Sequence, residues 1–121
     1  MRTDESSGPS ALNRDAVGEL VSVLGAQQTR KILTKFFGDS RGRLATVEQA
    51  VVDQRMADVC SNLHMLKSTA ATFGMIDVAR LAIEIEAEAK CSIVGQARIA
   101  ALGASFENAV TGLLAAFPDL A

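Results

Sequence analysis

Tryptophan and tyrosine are absent, and five phenylalanines are the whole aromatic content of this chain. Platforms on which unpaired bases could stack are therefore missing. A net charge of -2 and a pI near 5.3 supply no basic face for a phosphate backbone, so a nucleic-acid partner is not expected. Two cysteines, Cys60 and Cys91, are too few for a disulfide framework or a zinc knuckle. Both fall in helical patterns and read as small buried or half-buried hydrophobes. No stretch reads as the roughly 20 apolar residues that span a bilayer, and residues 1–10 are polar, without the apolar run of a secretory signal. These absences predict a cytoplasmic protein. Histidine occurs once, at position 64.

What remains is rich in Ala and Leu, 49% hydrophobic and 21% charged, in a length of 121 residues that suits one helical domain. Residues 1–10 have the composition of a disordered tail, and 11–118 are assigned to the domain. Asn13 reads as a helix N-cap flanked by Leu12 and Val17, the positions of a hydrophobic staple. Val17, Leu20, Val21 and Leu24 then give the stripe of a short leading helix, which Gly25 closes.

A second stripe, Leu33, Phe36/Phe37, Ser40, Leu44, Val47 and Val51, keeps one helical phase across Gly38 and Gly42. Those glycines cost roughly 1 kcal/mol each relative to Ala. One long helix is preferred to a break near 38–42, because a break would reset the phase. Helices at about 55–73, 75–91 and 95–117 follow. Their inner faces are Met56, Val59, Leu63, Leu66, Ala70 and Phe73; Val78, Leu81, Ala82, Ile85 and Ala89; and Ile99, Leu102, Phe106, Val110, Leu113 and Phe117. Gly74 marks a helix end or a close packing point, and Pro118 stops the last helix. No segment alternates with period two between hairpin turns. The predicted fold is all-α, an antiparallel four-helix bundle with an additional short N-terminal helix.

On the third helix, a wheel at about 100° per residue places His64 roughly 120° from the centre of the apolar arc, off the core. Its neighbours along the strip are Ala57, Cys60, Ser61, Lys67, Ser68 and Ala71. Apart from Lys67 these are small, whereas solvent faces elsewhere carry Glu84, Glu88 and Lys90. A ring that stands clear among small side chains is open to a bulky partner. The plain alternative is a solvated histidine without a role.

The chemistry open to a lone imidazole is narrow. Ser61 and Ser68 share its helix, and no nucleophile elbow accompanies them, so a hydrolase triad is not expected. Di-metal bundles need a second Glu-x-x-His, haem would need a core-facing ring, and nucleotide-binding glycine loops are missing. Covalent use of the ring remains. A neutral imidazole nitrogen can accept a phosphoryl group, with Lys67 offsetting the added charge and the small Ser68 beside the phosphate. The Mg²⁺ and positioning groups for in-line transfer would come from a partner, so no cofactor of the chain's own is expected.

The run His64-Met65-Leu66-Lys67-Ser68, with Gly74 ten residues after the histidine, resembles the signature of the histidine-containing phosphotransfer (HPt) domain family of two-component signalling. That signature is His-x-(Leu/Ile)-Lys-Gly followed by small residues and a Gly. Phe37 and Leu44 match the family's Phe-x6-Leu pattern on its long second helix. Val78, Leu81, Ile85 and Glu86 follow Gly74 at the spacing of its next helix. The resemblance spans about residues 12–117. It departs at position 68, where Ser replaces Gly and keeps a small side chain. Phe73-Gly74 is similar to the HPt domain that opens chemotaxis histidine kinases.

The resemblance implies a cytoplasmic, monomeric phosphorelay protein for signal transduction, a phosphoryl carrier and not an enzyme. His64 would form a phosphohistidine, with Lys67 as electrostatic helper and Glu86 as acceptor for Nδ1–H, which leaves Nε2 as nucleophile. Its partners would be receiver domains of response regulators or hybrid kinases, docking on Ala57, Ser61, Met65 and Ala71; neither nucleic acid nor membrane is implied. Two other readings stay open: a module of a larger sensor or chemotaxis-type kinase, and a helical adaptor that binds without phosphorylation.

Overall fold

The computed structural model describes residues 11–91 and 93–121; the tail predicted for residues 1–10 lies outside them. Four helices, α1 (Arg14–Val52), α2 (Met56–Thr72), α3 (Ile76–Lys90) and α4 (Gln96–Ala116), are followed by a 3₁₀ turn at Pro118–Leu120. Each helix packs on two others in the order α1, α2, α3, α4 and back to α1, which closes the predicted bundle.

α1 is two helices in one. Gly25, at φ 84° and ψ 164°, breaks it into an arm of residues 14–24 and a long arm of residues 26–52. Only glycine adopts that backbone readily. The buried Thr29 hydroxyl donates to the Gly25 carbonyl (2.8 Å), so the break leaves that acceptor satisfied. The long arm then runs unbroken through Gly38 and Gly42 and buries Leu33, Phe36, Phe37, Ser40, Leu44, Val47 and Val51, the predicted stripe. Both glycines face open space.

The predicted leading-helix stripe is only partly right. Val17 is buried and Leu20 and Val21 half-buried, but Leu24 is 43% exposed. The arm is anchored at its start. Asn13 accepts the Asp15 N–H, as predicted for an N-cap, while its own N–H donates to the Gly74 carbonyl (2.7 Å). Ala11 N–H donates to Asp77 (2.7 Å), and Leu12 lies over Gly112 of α4. Distal to these anchors, the stripe loses its cover.

Gly74 serves both predicted purposes. It ends α2 with φ 77°, and a Cβ there would collide with the Asn13 carbonyl. The core is joined by rings: Phe73 stacks on Phe36 (4.3 Å between centroids), and Phe106 of α4 meets Phe36 and Phe37 edge-on. Arg41 lies over Phe37 and Phe106 and forks onto Glu107 (2.8 and 2.9 Å), tying α1 to α4. That hydrogen bond holds the Glu107 carboxyl below its ordinary value and raises the Arg41 guanidinium. Arg98 of α4 likewise bridges Glu88 and Glu84 of α3 and lowers the Glu88 carboxyl, chiefly by its hydrogen bond.

Two expectations need correction, on membrane-spanning length and on Cys91. α4 is long and apolar enough to cross a membrane by length and composition, at a mean hydropathy of 1.4, because Ala and Leu outweigh its few charged residues. Here Ile99, Leu102, Phe106, Ala109, Val110 and Leu113 of α4 are buried in the bundle. Cys91 is exposed, since α3 ends at Lys90 and leaves it as the C-cap. Pro118 ends α4 but not the packed chain: the 3₁₀ turn buries Leu120, and Arg30 donates to the Asp119 carbonyl (3.0 Å).

Candidate functional site

α2 buries Val59, Leu63, Leu66 and Ala70, three to four residues apart. His64 follows Leu63 by one residue, about 100° around the helix, and its side chain is 58% exposed. α2 and α3 are joined through the short turn at Gly74, so the His64 strip of α2 lies beside α3 and meets Glu86 across the groove.

Three charged groups gather there. The Lys67 ammonium is 3.3 Å from His64 Nδ1. Glu86 Oε2 is 3.7 Å from the same nitrogen, just beyond hydrogen-bond length, on a side chain only 14% exposed. Lys90 Nζ reaches that same carboxylate oxygen at 3.9 Å. The ring thus lies between an ammonium, Lys67, and a carboxylate, Glu86, with a second ammonium, Lys90, beyond that carboxylate. Glu86 is half-buried rather than solvated. Lys90, read from the sequence as solvent cladding, belongs to the cluster; the Glu-to-Lys spacing of four on a helix was the available signal.

The remaining predicted site residues divide. The Ser68 hydroxyl donates to the His64 main-chain carbonyl (3.2 Å) and is therefore engaged with backbone, as serine in a helix often is. Ala57, Ser61, Met65 and Ala71 are all exposed, and Met65 and Ala71 border different grooves. Met65, 46% exposed, borders a groove of about 340 Å³ between α1 and α2, together with Ile32, Phe36, Thr69 and Phe73 and the cations Lys35 and Arg43. Ala71 lies on the other flank, in a groove with Ile76, Ala79 and Ile83 of α3. Sequence reasoning missed Ile32, because a helical stripe shows which face is apolar but not where the neighbouring helix stops covering it.

The Cys60 thiol, half-buried one turn before His64, lies 3.9 Å from the Glu86 carbonyl and forms no disulfide. Among the described residues, no three His, Cys, Asp or Glu side chains come together as a metal site. The arrangement offers an exposed imidazole whose Nδ1 faces an ammonium at 3.3 Å and a carboxylate at 3.7 Å. Such a ring can attack an electrophile brought to it, and it is oriented through Nδ1.

No curated protein and no solved structure matches the chain. A family comparison does: the Hpt domain matches residues 31–119, from the long arm of α1 through the final 3₁₀ turn, with the 14–24 arm lying before it. With most of its length inside that match, the chain belongs to the Hpt domain family.

Proposed function

We propose that His64 carries a phosphoryl group between receiver-domain aspartates. Membership of the Hpt family gives the general role, histidine phosphotransfer by a carrier in a phosphorelay. The observation that carries the specific reading is the exposed imidazole whose Nδ1 faces the half-buried Glu86 carboxylate.

In the forward step the Nε2 lone pair attacks the phosphorus of an aspartyl phosphate in line with the scissile P–O bond. The N–P bond forms as that P–O bond breaks, and the electron pair leaves with the aspartate carboxylate. Once Lys67 has left Nδ1 the ring carries its proton there, where Glu86 offsets the positive charge. Lys67 swings from Nδ1 to the incoming phosphoryl oxygens, a small movement for a four-carbon stem. Transfer to a second aspartate reverses each change. A Mg²⁺ that polarises the phosphoryl group would be supplied by the receiver's acidic pocket.

Docking is assigned to the α1/α2 groove beside the histidine. Ile32 and Met65 offer apolar contact there, and Arg43 suits an acidic partner, while Lys35 is paired with Asp39 (3.0 Å). The experiment is to incubate the protein with a panel of phosphorylated receiver domains and measure acid-labile, base-stable label. The expected result is label on wild type and none on His64→Gln. Equal labelling of the variant, or none on wild type from any receiver, overturns the reading.

A further inference from the structure

One carboxylate oxygen, Glu86 Oε2, lies between two groups of the site: His64 Nδ1 at 3.7 Å and Lys90 Nζ at 3.9 Å. We propose that Lys90 is a positioning residue that balances the charge of Glu86, so that the carboxylate orients the Nδ1–H of His64 without turning the ring into imidazolium. The inference rests on the carrier reading for its functional meaning, but its physical content stands on the geometry alone.

Electrostatics supplies the argument. A nucleophilic imidazole must be neutral, with its proton on the nitrogen opposite the attacking one. A carboxylate beside Nδ1 selects that tautomer. It also favours the protonated, non-nucleophilic ring, since an opposite charge nearby stabilises the charged form. The two effects of Glu86 therefore oppose each other at neutral pH. An ammonium on the far side of the same oxygen separates them. Oε2 stays in place to accept from Nδ1–H, while the net charge felt by the ring falls towards zero.

Glu86 is largely withdrawn from water, with 14% of its side chain exposed, so solvent does little of this balancing. Lys90 is 67% exposed and occupies the last turn of α3, where a cation also suits the helix dipole.

Lys67 shares this task at the ring itself, and on the carboxylate it falls to Lys90. From α2, Lys67 approaches the ring at Nδ1, and the Cys60 thiol faces the Glu86 main chain. From α1, Arg43 is bound to Asn62 (3.0 Å). From α4, Arg98 is held by Glu84 and Glu88. Glu86 Oε2 is thus shared between the imidazole and one cation of its own helix.

A single histidine makes the test direct, because ¹⁵N-histidine labelling gives one pair of ring signals with nothing to assign. The ring is titrated in wild type, Lys90→Met, Lys90→Arg, Glu86→Gln and the double variant Glu86→Gln/Lys90→Met. Lys90→Met is expected to move the titration to higher pH, less so in high salt. Lys90→Arg should return it to the wild-type curve, and Lys90→Met should displace it less in the Glu86→Gln background, where the carboxylate no longer holds the ammonium near the ring. A Lys90→Met curve that overlays wild type, or an equal displacement without the Glu86 carboxylate, overturns the proposal.

A second arm measures label uptake from phosphoramidate, in which Nε2 displaces ammonia as the P–N bond breaks. Lys90→Met should shift the acid limb of the rate profile to higher pH and slow uptake at neutral pH by roughly two- to threefold. An unmoved limb counts against Lys90. Absence of uptake by wild type, together with none from the receiver panel, instead removes the carrier reading, and the ring titration still decides the role of Lys90.

Discussion

The Lys67 ammonium lies closer to Nδ1 of His64 than the Glu86 carboxylate does, 3.3 Å against 3.7 Å. An ammonium can only donate, so contact with Lys67 favours the ring whose proton is on Nε2, the wrong nitrogen for attack from that atom. Lys67 must leave Nδ1 when a phosphoryl group arrives, and it then has an anion to pair with.

Lys67→Ala should accordingly weaken the phosphorylated state more than the free one. At equilibrium with a phosphorylated receiver, labelled His64 should fall by roughly two- to fivefold, the value of a solvent-exposed ion pair. Autoradiography of the equilibrium mixture measures it; unchanged partition between the two proteins would show that Lys67 does not hold the phosphoryl group.

Gly74→Ala should be the most damaging single-methyl change in the chain. It forces an alanine to φ 77° and drives its Cβ into the Asn13 carbonyl, against the Asn13 N–H to Gly74 hydrogen bond. Strain and a lost bond together predict about 3 kcal/mol of destabilisation. Urea unfolding should give a lower midpoint with an unchanged slope.

Gly38→Ala and Gly42→Ala should do the opposite. Both sites are inside a continuous helix, and an added methyl meets nothing within 4 Å. Each should stabilise by about 0.5–1 kcal/mol through helix propensity. A higher thermal midpoint for the double variant than for either single one checks it.

Acid should loosen the α1–α4 contact. The Arg41 fork depresses the Glu107 carboxyl below its ordinary value of 4.5, so the pair's contribution is present above that value and is lost as pH falls through the depressed one. Both groups face water, which screens the pair to about 0.5 kcal/mol. Glu107→Gln should be less stable than wild type at neutral pH, and the gap should close below pH of about 4. Parallel denaturation curves at the two pH values test this; a constant gap would assign the loss to packing.

The long arm of α1 was readable because its stripe repeats over five turns and tolerates one polar member, Ser40, without losing phase. His64 was readable off the core for the same reason, being one residue from Leu63. Asn13 and Gly74 were legible as a cap and a turn, but not as partners, since nothing local says that a main-chain N–H at 13 finds a carbonyl at 74. The exposure of Leu24 was hidden, because a periodic stripe does not say where its cover ends. The roles of Lys90 and the split between Met65 and Ala71 depend on which helix lies on each flank of α2, and a wheel drawn for one helix carries no such information.

The short turn between α2 and α3 has a kinetic consequence. His64 and Glu86 are brought together by one helical hairpin, and contacts this close in sequence close with little loss of chain entropy. The pairing should therefore assemble early in folding, before α4 returns to seal the bundle. The ring and its carboxylate then belong to the same cooperative folding unit, which hydrogen exchange on the two helices would reveal as shared protection.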